Sequence, residues 1–262
     1  APHTPFSPAT VELMDGFTPP GAQALSGTTY LLGTDDQGRD MLSTIMYGSR
    51  VSLFVGFAAT LFAMTLGITL GLAAGYRGGL ADTIIMRIAD VQLSFPAILI
   101  ALLIFGVAQG LIPASQQEQT AVWVLILAIG LSNWAQFART VRGTTMVERQ
   151  KDYVSAARLL GRRPLAIVTR HVLPNVLGPV LVIATISLAL AIIEEATLSY
   201  LGVGVPPTQP SLGTLIRIGQ RFLFSGEWWI LAFPAVTLIL LALSVNLLGD
   251  WLRDALNPRL RK

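Results

Sequence analysis

Glu194 and Glu195 stand side by side at the end of a long apolar stretch, where a carboxylate is a candidate for acid–base chemistry. Neighbouring positions on a helix point in different directions, so the two cannot flank one bond as a glycosidase pair does. The chain has two histidines, His3 and His171, which lie far apart in sequence. With no cysteine present, thiol nucleophiles, disulfides and cysteine-based metal sites are excluded. Asp35, Asp36 and Asp40 crowd into Leu32–Asp40, but the spaced Glu of a calcium loop does not follow them. Asp40 instead suits the cap of a helix starting at Met41. No G-x-x-x-x-G-K-[ST] phosphate loop occurs, so the chain does not hydrolyse ATP by that route. An intramembrane enzyme built on Glu194, Glu195 or His171 would lack both a paired metal ligand and an evident nucleophile.

A second constellation is basic. It runs from Lys151-Asp152-Tyr153-Val154-Ser155-Ala156-Ala157-Arg158-Leu159-Leu160-Gly161 through Arg162-Arg163-Pro164 to His171-Val172-Leu173-Pro174. Asp152 suits an N-cap, and Tyr153, Ala156, Ala157 and Leu160 recur on one helical face. Gly161 fits the left-handed position that closes a helix. Pro164 suits the first turn of a second short helix, and Pro174 the first turn of the element after it. Arg149, Lys151, Arg158, Arg162, Arg163 and Arg170 face the single acid Asp152. Such a segment can lie on anionic lipid. Its two alanines, however, favour close approach of a protein partner over insertion among acyl chains.

The elements that must carry these residues are membrane helices. Of 262 residues, 53% are hydrophobic and 13% charged, and the mean hydropathy is +0.63. A soluble domain carries roughly 25% charged residues. Uncharged runs at 51–76, 91–117, 119–138, 171–193 and 228–249 each reach the ~20 residues that cross a bilayer. In lipid the backbone must bond within its own segment, so these runs are expected as five helical spans. Alternating them with the C-terminus in the cytoplasm leaves only Arg39, Arg50, Arg217 and Arg221 outside among the Lys and Arg residues. That is the positive-inside bias, and it also accounts for the basic pI of about 9.6 without nucleic acid. Residues 1–48 then lie on the extracytoplasmic side, and 49–262 form the transmembrane domain. The cytoplasmic loop is expected at 143–173 and an extracytoplasmic loop at 199–228. Carrying residues 1–48 across the membrane calls for an additional N-terminal span or signal.

Within the spans, Gly67, Gly71 and Gly75, preceded by Gly48, Ser52 and Gly56, form rows that let helices approach closely. Phe95-Pro96 is expected to kink or break its helix. Arg87 and Asp90 suit an i,i+3 ion pair, and Asn246, Asp250, Arg253 and Asp254 a polar helix end. At ~1.5 Å per residue from Pro174, Glu194 and Glu195 fall ~30 Å away, at the outer boundary. One can anchor the Gly- and Pro-rich loop 199–213 while the other faces water. Helical periodicity returns over 212–224, and Trp228-Trp229 suits an aromatic anchor for the last span.

The basic segment resembles the coupling loop of permease subunits in ATP-driven (ABC) importers: Glu-Ala-Ala, three residues, Gly, nine residues, Ile-x-Leu-Pro. Ala156, Ala157, Gly161, Leu173 and Pro174 match, with Ser155 in place of the Glu and His171 in place of the Ile. Leu32-Gly33-Thr34-Asp35-Asp36, Leu201-Gly202-Val203-Gly204-Val205 with Pro207, Pro210, Ser211 and Gly213, and Asn246-Leu247-Leu248-Gly249-Asp250 extend the likeness. Together they resemble the C-type permease of dipeptide, oligopeptide and nickel importers, over residues 31–262. Leu212 stands where that family often has Trp. The resemblance implies an all-α helical bundle of the type I importer kind, in a bacterial inner membrane, with one more span before residue 1. It implies a related B-type permease, two ABC ATPases that bind ATP and Mg, and an extracytoplasmic substrate-binding protein as partners. This chain itself would hold no cofactor. ATPase coupling falls to Asp152, Tyr153, Ser155, Ala156, Ala157, Arg158, Leu160, Gly161, Arg162, Arg163 and Pro174; Phe95, Pro96, Glu194 and Glu195 are expected at the path or its gate. Short peptides are the expected cargo, with nickel second.

Overall fold

The computed structural model describes residues 1–2, 12–206 and 208–256, with side chains described to residue 252. Expectations resting on His3, Pro207, Arg259, Arg261 and Lys262, and on the side chains of Arg253 and Asp254, lie outside the described residues. Nearly all the regular structure is helical: α1 Met41–Arg77, α2 Gly79–Leu93, α3 Ala97–Leu111, α4 Ala114–Glu148, α5 Asp152–Leu159, α6 Pro164–Ile167, α7 Leu173–Tyr200, α8 Leu212–Gln220 and α9 Trp229–Leu256. Four helical runs are long and apolar enough to cross a membrane, or five when α2 and α3 count as one bent span. The chain is a multi-pass membrane protein.

Asp40 opens α1 as its residue type suggests: Oδ2 accepts from the Ser43 amide at 3.0 Å and from the Ser43 hydroxyl at 2.5 Å. The helix therefore begins ten residues before the uncharged run at 51, absorbing the amphipathic stretch ahead of it. The run 91–117 is not one straight span. It breaks after Leu93, and α2 and α3 are bent by 100°. Pro96 has no amide hydrogen and pushes Phe95 out of helical geometry, which is sufficient cause.

The residues sort into two compact units, one formed by Ala1–Phe57, Phe105–Leu125 and Leu190–Ser244, the other by Ala58–Ile104, Ile126–Ala189 and Val245–Lys262. In the first, Met41, Ile45, Leu212, Leu215 and Ile230 make a core under the N-terminal segment. Burial pushes the Asp15 carboxyl up, but hydrogen bonds from Ser26 and Tyr30 outweigh it and hold the group below its usual range. Of the Trp228-Trp229 pair expected to anchor the last span, Trp229 turns inward. It is buried in that core and donates Nε1 to the Thr34 carbonyl at 3.1 Å, leaving Trp228 exposed. Gly33 permits the contact: its φ is +74°, and a Cβ would stand 2.5 Å from the Thr18 carbonyl oxygen.

In the second unit the glycine row of α1 meets α4. A Cβ on Gly71 would come within 2.6 Å of the Ala138 carbonyl oxygen, and one on Gly67 within 2.4 Å of the Phe137 Cβ. Asp90 pairs with Arg139 of α4 rather than with Arg87 one turn away. Both partners are half exposed, so the pair adds little to stability. Asp82 takes the Arg142 guanidinium in a two-pronged bond. Beside the bend, Gln92 donates to the carbonyls of Leu131 and Ser132 at 2.7 and 2.9 Å while accepting from Trp134 Nε1 at 2.8 Å.

Candidate functional site

The basic segment folds into one short helix and one helical run. Lys151, not Asp152, occupies the N-cap of α5, and no side chain caps the first turn. Asp152 is instead the first helical residue, where its charge still favours the positive end of the helix. At the other end the Gly161 amide bonds to the Arg158 carbonyl and the Arg162 amide to that of Ala157, at 2.9 and 3.2 Å. With Gly161 at φ +73°, this is the Schellman closure that the glycine implied. Pro164 starts α6. The chain then passes through a π-helical turn at Val168–Val172 into α7, so 164–200 is a single helical run and not a second separate helix. The wider turn accommodates Pro174, which has no amide hydrogen to offer an α-helical ladder. Of the expected loop 143–173, residues 143–148 belong to α4.

The buried face of α5 is Val154 and Ala157, packed with Ile167, Val172, Val176, Phe137 and Val141. Of the face expected from Tyr153, Ala156, Ala157 and Leu160, only Ala157 is buried. Leu159, Leu160 and Leu165 are 90%, 80% and 75% exposed, beside exposed Ser155, Ala156, Arg158, Arg162 and Arg163. An apolar and basic surface therefore faces away from the helices that hold α5.

Of the side chains fastening α5, Tyr153, Arg158, Lys151 and Arg149 were singled out by sequence, but their partners Glu148, Asn175 and Tyr76 were not. Glu148, at the end of α4, is buried; it accepts from the Tyr153 hydroxyl and pairs with Lys151 Nζ at 2.6 Å. Asn175 Nδ2 donates to Tyr153 Oη at 3.2 Å and to the His171 carbonyl at 2.8 Å. The Tyr153 hydroxyl is pushed up to about 12, by burial first and then by the bond to Glu148 and its charge. Arg149 Nη1 reaches the last carbonyls of α1, Gly75 at 2.9 Å and Tyr76 at 3.3 Å. The Arg158 guanidinium lies 5.4 Å over the Tyr76 ring. A run of acids and amides around a helix start was the available signal, but their meeting depends on how α1, α4 and α7 end together.

The first unit holds the other charged centre. Glu195 is fully buried and accepts from Ser52 Oγ at 2.6 Å and Ser199 Oγ at 2.7 Å. Each serine in turn accepts a loop amide, Leu212 to Ser52 and Val205 to Ser199, both at 3.3 Å. The carboxyl thus anchors both ends of the loop between α7 and α8. Glu194, one residue earlier, is only half buried, as neighbouring helical positions require. Phe95 and Pro96 lie exposed at the bend between α2 and α3. Glu194 and Glu195 belong to one unit and the Phe95 bend to the other, each described within its own unit. Among the described residues no group of His, Asp or Glu is placed to hold a metal ion.

Apolar helices, a bent span and an amphipathic helix fixed across the ends of three others define a membrane-embedded transport subunit. The chain belongs to the family of inner membrane components of binding-protein-dependent transport systems, whose model matches residues 67–262. Its relatives are permeases, the membrane components of ABC transporters rather than their ATPases. It is 36% identical over 258 residues to the dipeptide transport system permease protein DppC of Haemophilus influenzae, covering 98% of this chain and 84% of that one. The oligopeptide transport system permease protein OppC of Bacillus subtilis is 35% identical over 254 residues, 97% of this chain and 78% of the relative. A protein of Brucella suis biovar 1, provisionally named a peptide transport system permease, is 40% identical over 245 residues, 94% and 77% of the two chains. Among solved structures, a chain of the MetNI methionine ABC transporter in inward-facing conformations matches with a TM-score of 0.62 at 22% identity. The match covers 83% of this chain and 98% of that one, and establishes the type I importer permease fold.

Proposed function

We propose that the chain, with a related B-type permease, forms the path by which short peptides cross a bacterial inner membrane. An extracytoplasmic binding protein delivers the peptide, and two cytoplasmic ATPases holding ATP and Mg drive the cycle. In this reading residues 1–48 and the loop 199–228 face outward, while α5 and the C-terminus face the cytoplasm. The peptide cargo is supported by the names of the relatives in Haemophilus influenzae and Bacillus subtilis. The mechanism rests on one observation: α5 and the turn after it present Leu159, Leu160, Arg162 and Arg163 outward, with Arg158 exposed beside them but stacked on Tyr76 of α1, while Val154 and Ala157 hold the helix to the spans.

An exposed apolar stripe edged with arginines fits a groove lined by apolar and acidic groups. Closing of the ATPase pair then moves α5 as a lever, biasing the spans between inward and outward access. Asp152, Ser155 and Ala156 belong to the exposed side of the same helix and line that contact, and Gly161 and Pro174 shape its two flanks. Phe95, Pro96 and Glu194 line or gate the path. Gly161→Val tests the lever: a β-branched residue at φ +73° distorts the closure of α5 without filling any occupied space. Peptide uptake in proteoliposomes of the assembled importer is expected to fall at least tenfold while ATP hydrolysis continues. Uptake at the wild-type ratio to ATP would remove α5 from the coupling role. Nickel uptake without peptide uptake would overturn the cargo.

A further inference from the structure

We infer that the Tyr153 hydroxyl, held between Glu148 and Asn175, is the joint through which movement of α5 enters α4 and α7. The inference rests on the reading of α5 as the ATPase-docking helix and assigns Tyr153 to its inner attachment instead of to the partner contact. Three features of the arrangement carry it.

The first is polarity. The Tyr153 hydroxyl donates to Glu148 and accepts from Asn175, so one oxygen joins the last residue of α4 to the first turn of α7. A phenol has one proton to give and lone pairs to receive, and both capacities are used. The second is burial of the anchor. Glu148 is 7% exposed, and its other oxygen takes Lys151 Nζ from the N-cap of α5. The N-cap and the second helical residue of α5 are thereby both bonded to one carboxylate. The third is where the joint meets α7. Asn175 also holds the His171 carbonyl inside the π-helical turn, which with Pro179 further along is a place in the 164–200 run where the α-helical ladder is interrupted. A π-turn can tighten or shift by a residue more easily than an intact α-helix. A pull on Tyr153 is therefore applied next to that turn, where α7 begins.

The apolar contacts of Val154 and Ala157 would keep α5 in place without the hydroxyl, but they are non-directional. They allow the helix to slide or rotate under load, whereas the bonded oxygen does not. Docking and transmission should therefore separate. Tyr153→Phe keeps the ring and removes only the oxygen.

The experiment uses the complete importer, with its partner permease, ATPases and binding protein, in proteoliposomes, reading ATP hydrolysed per peptide imported. For Tyr153→Phe the ATPases are expected to co-purify as in wild type while the ratio rises at least fivefold. Glu148→Gln retains an acceptor for the phenol and is expected to give a ratio nearer wild type than Tyr153→Phe does. Glu148→Leu removes the acceptor and should match Tyr153→Phe. A wild-type ratio in Tyr153→Phe overturns the inference, and so does loss of the ATPases on purification, which would make the hydroxyl a docking element. Leu159→Asp separates the underlying reading: ATPases that stay bound and coupled in that variant would remove α5 from the docking role, and the joint with it.

Discussion

The Tyr153 phenol sits against the buried Glu148 carboxylate, and burial together with that charge pushes it up to about 12 from an ordinary 10.0. A raised folded-state value means that the folded protein holds the proton more tightly than the unfolded chain. The stabilisation is thus fully present below pH ~10 and is lost as pH rises through about 12. The difference in tyrosinate absorbance between wild type and Tyr153→Phe should have its midpoint near 12, and a midpoint at 10 would show the phenol free of Glu148. Glu195 makes a different prediction, because its partners are neutral hydroxyls. Glu195→Ala leaves Ser52 and Ser199 without their acceptor, at about 1–3 kcal/mol per buried group, whereas Glu195→Gln keeps one acceptor and should cost less. Midpoints of thermal unfolding in detergent should rank wild type, Gln, Ala; equal midpoints would show that the carboxyl anchors nothing. That a glutamate lay at the head of the Gly- and Pro-rich loop was legible in sequence. Which of the two adjacent acids turned inward was not, because that depends on the position of Ser52, 143 residues away.

Helices α1 and α4 owe their contact to the glycine row. Gly71→Ala would place a Cβ 2.6 Å from the Ala138 carbonyl oxygen and 2.7 Å from the Val141 Cβ, so the helices must separate, at about 1–3 kcal/mol. Gly106 in α3 has nothing within 4 Å of its Cβ position, and Gly106→Ala should be neutral or stabilising by up to about 1 kcal/mol. Thermal midpoints of the two variants in the same detergent check the contrast, and a Gly71→Ala protein as stable as Gly106→Ala would refute the packing. The four-residue spacing announced a packed face, but nothing in it named α4 as the partner. Phe95-Pro96 announced a break, since the effect of proline is local, yet the 100° bend depends on what α2 and α3 pack against. Asp152 was misplaced by one residue because a capping preference says which residue types suit a helix start, not which of two neighbours takes the position.

For the molecule as a whole, the orientation in the membrane is open to direct labelling, because the chain has no cysteine of its own. Leu25 and Leu159 are both highly exposed, at 81% and 90%. Leu25→Cys should react with an impermeant maleimide on intact cells. Leu159→Cys should react only once the cytoplasmic face is opened, and should be protected while the ATPases are bound. The opposite pattern would invert the topology. The hydropathy runs and the bias of Arg and Lys carried the membrane class, the approximate spans and the expected side of each loop, because lipid imposes its demand on every segment separately. The Gly161 closure was equally local, a matter of one φ angle. What only the tertiary structure decided was pairing: Glu195 with Ser52, Asp90 with Arg139, Trp229 with Thr34, and Tyr153 with both Glu148 and Asn175. Such partners are set by where separate helices end relative to one another, a distance in space that no periodicity along the chain encodes.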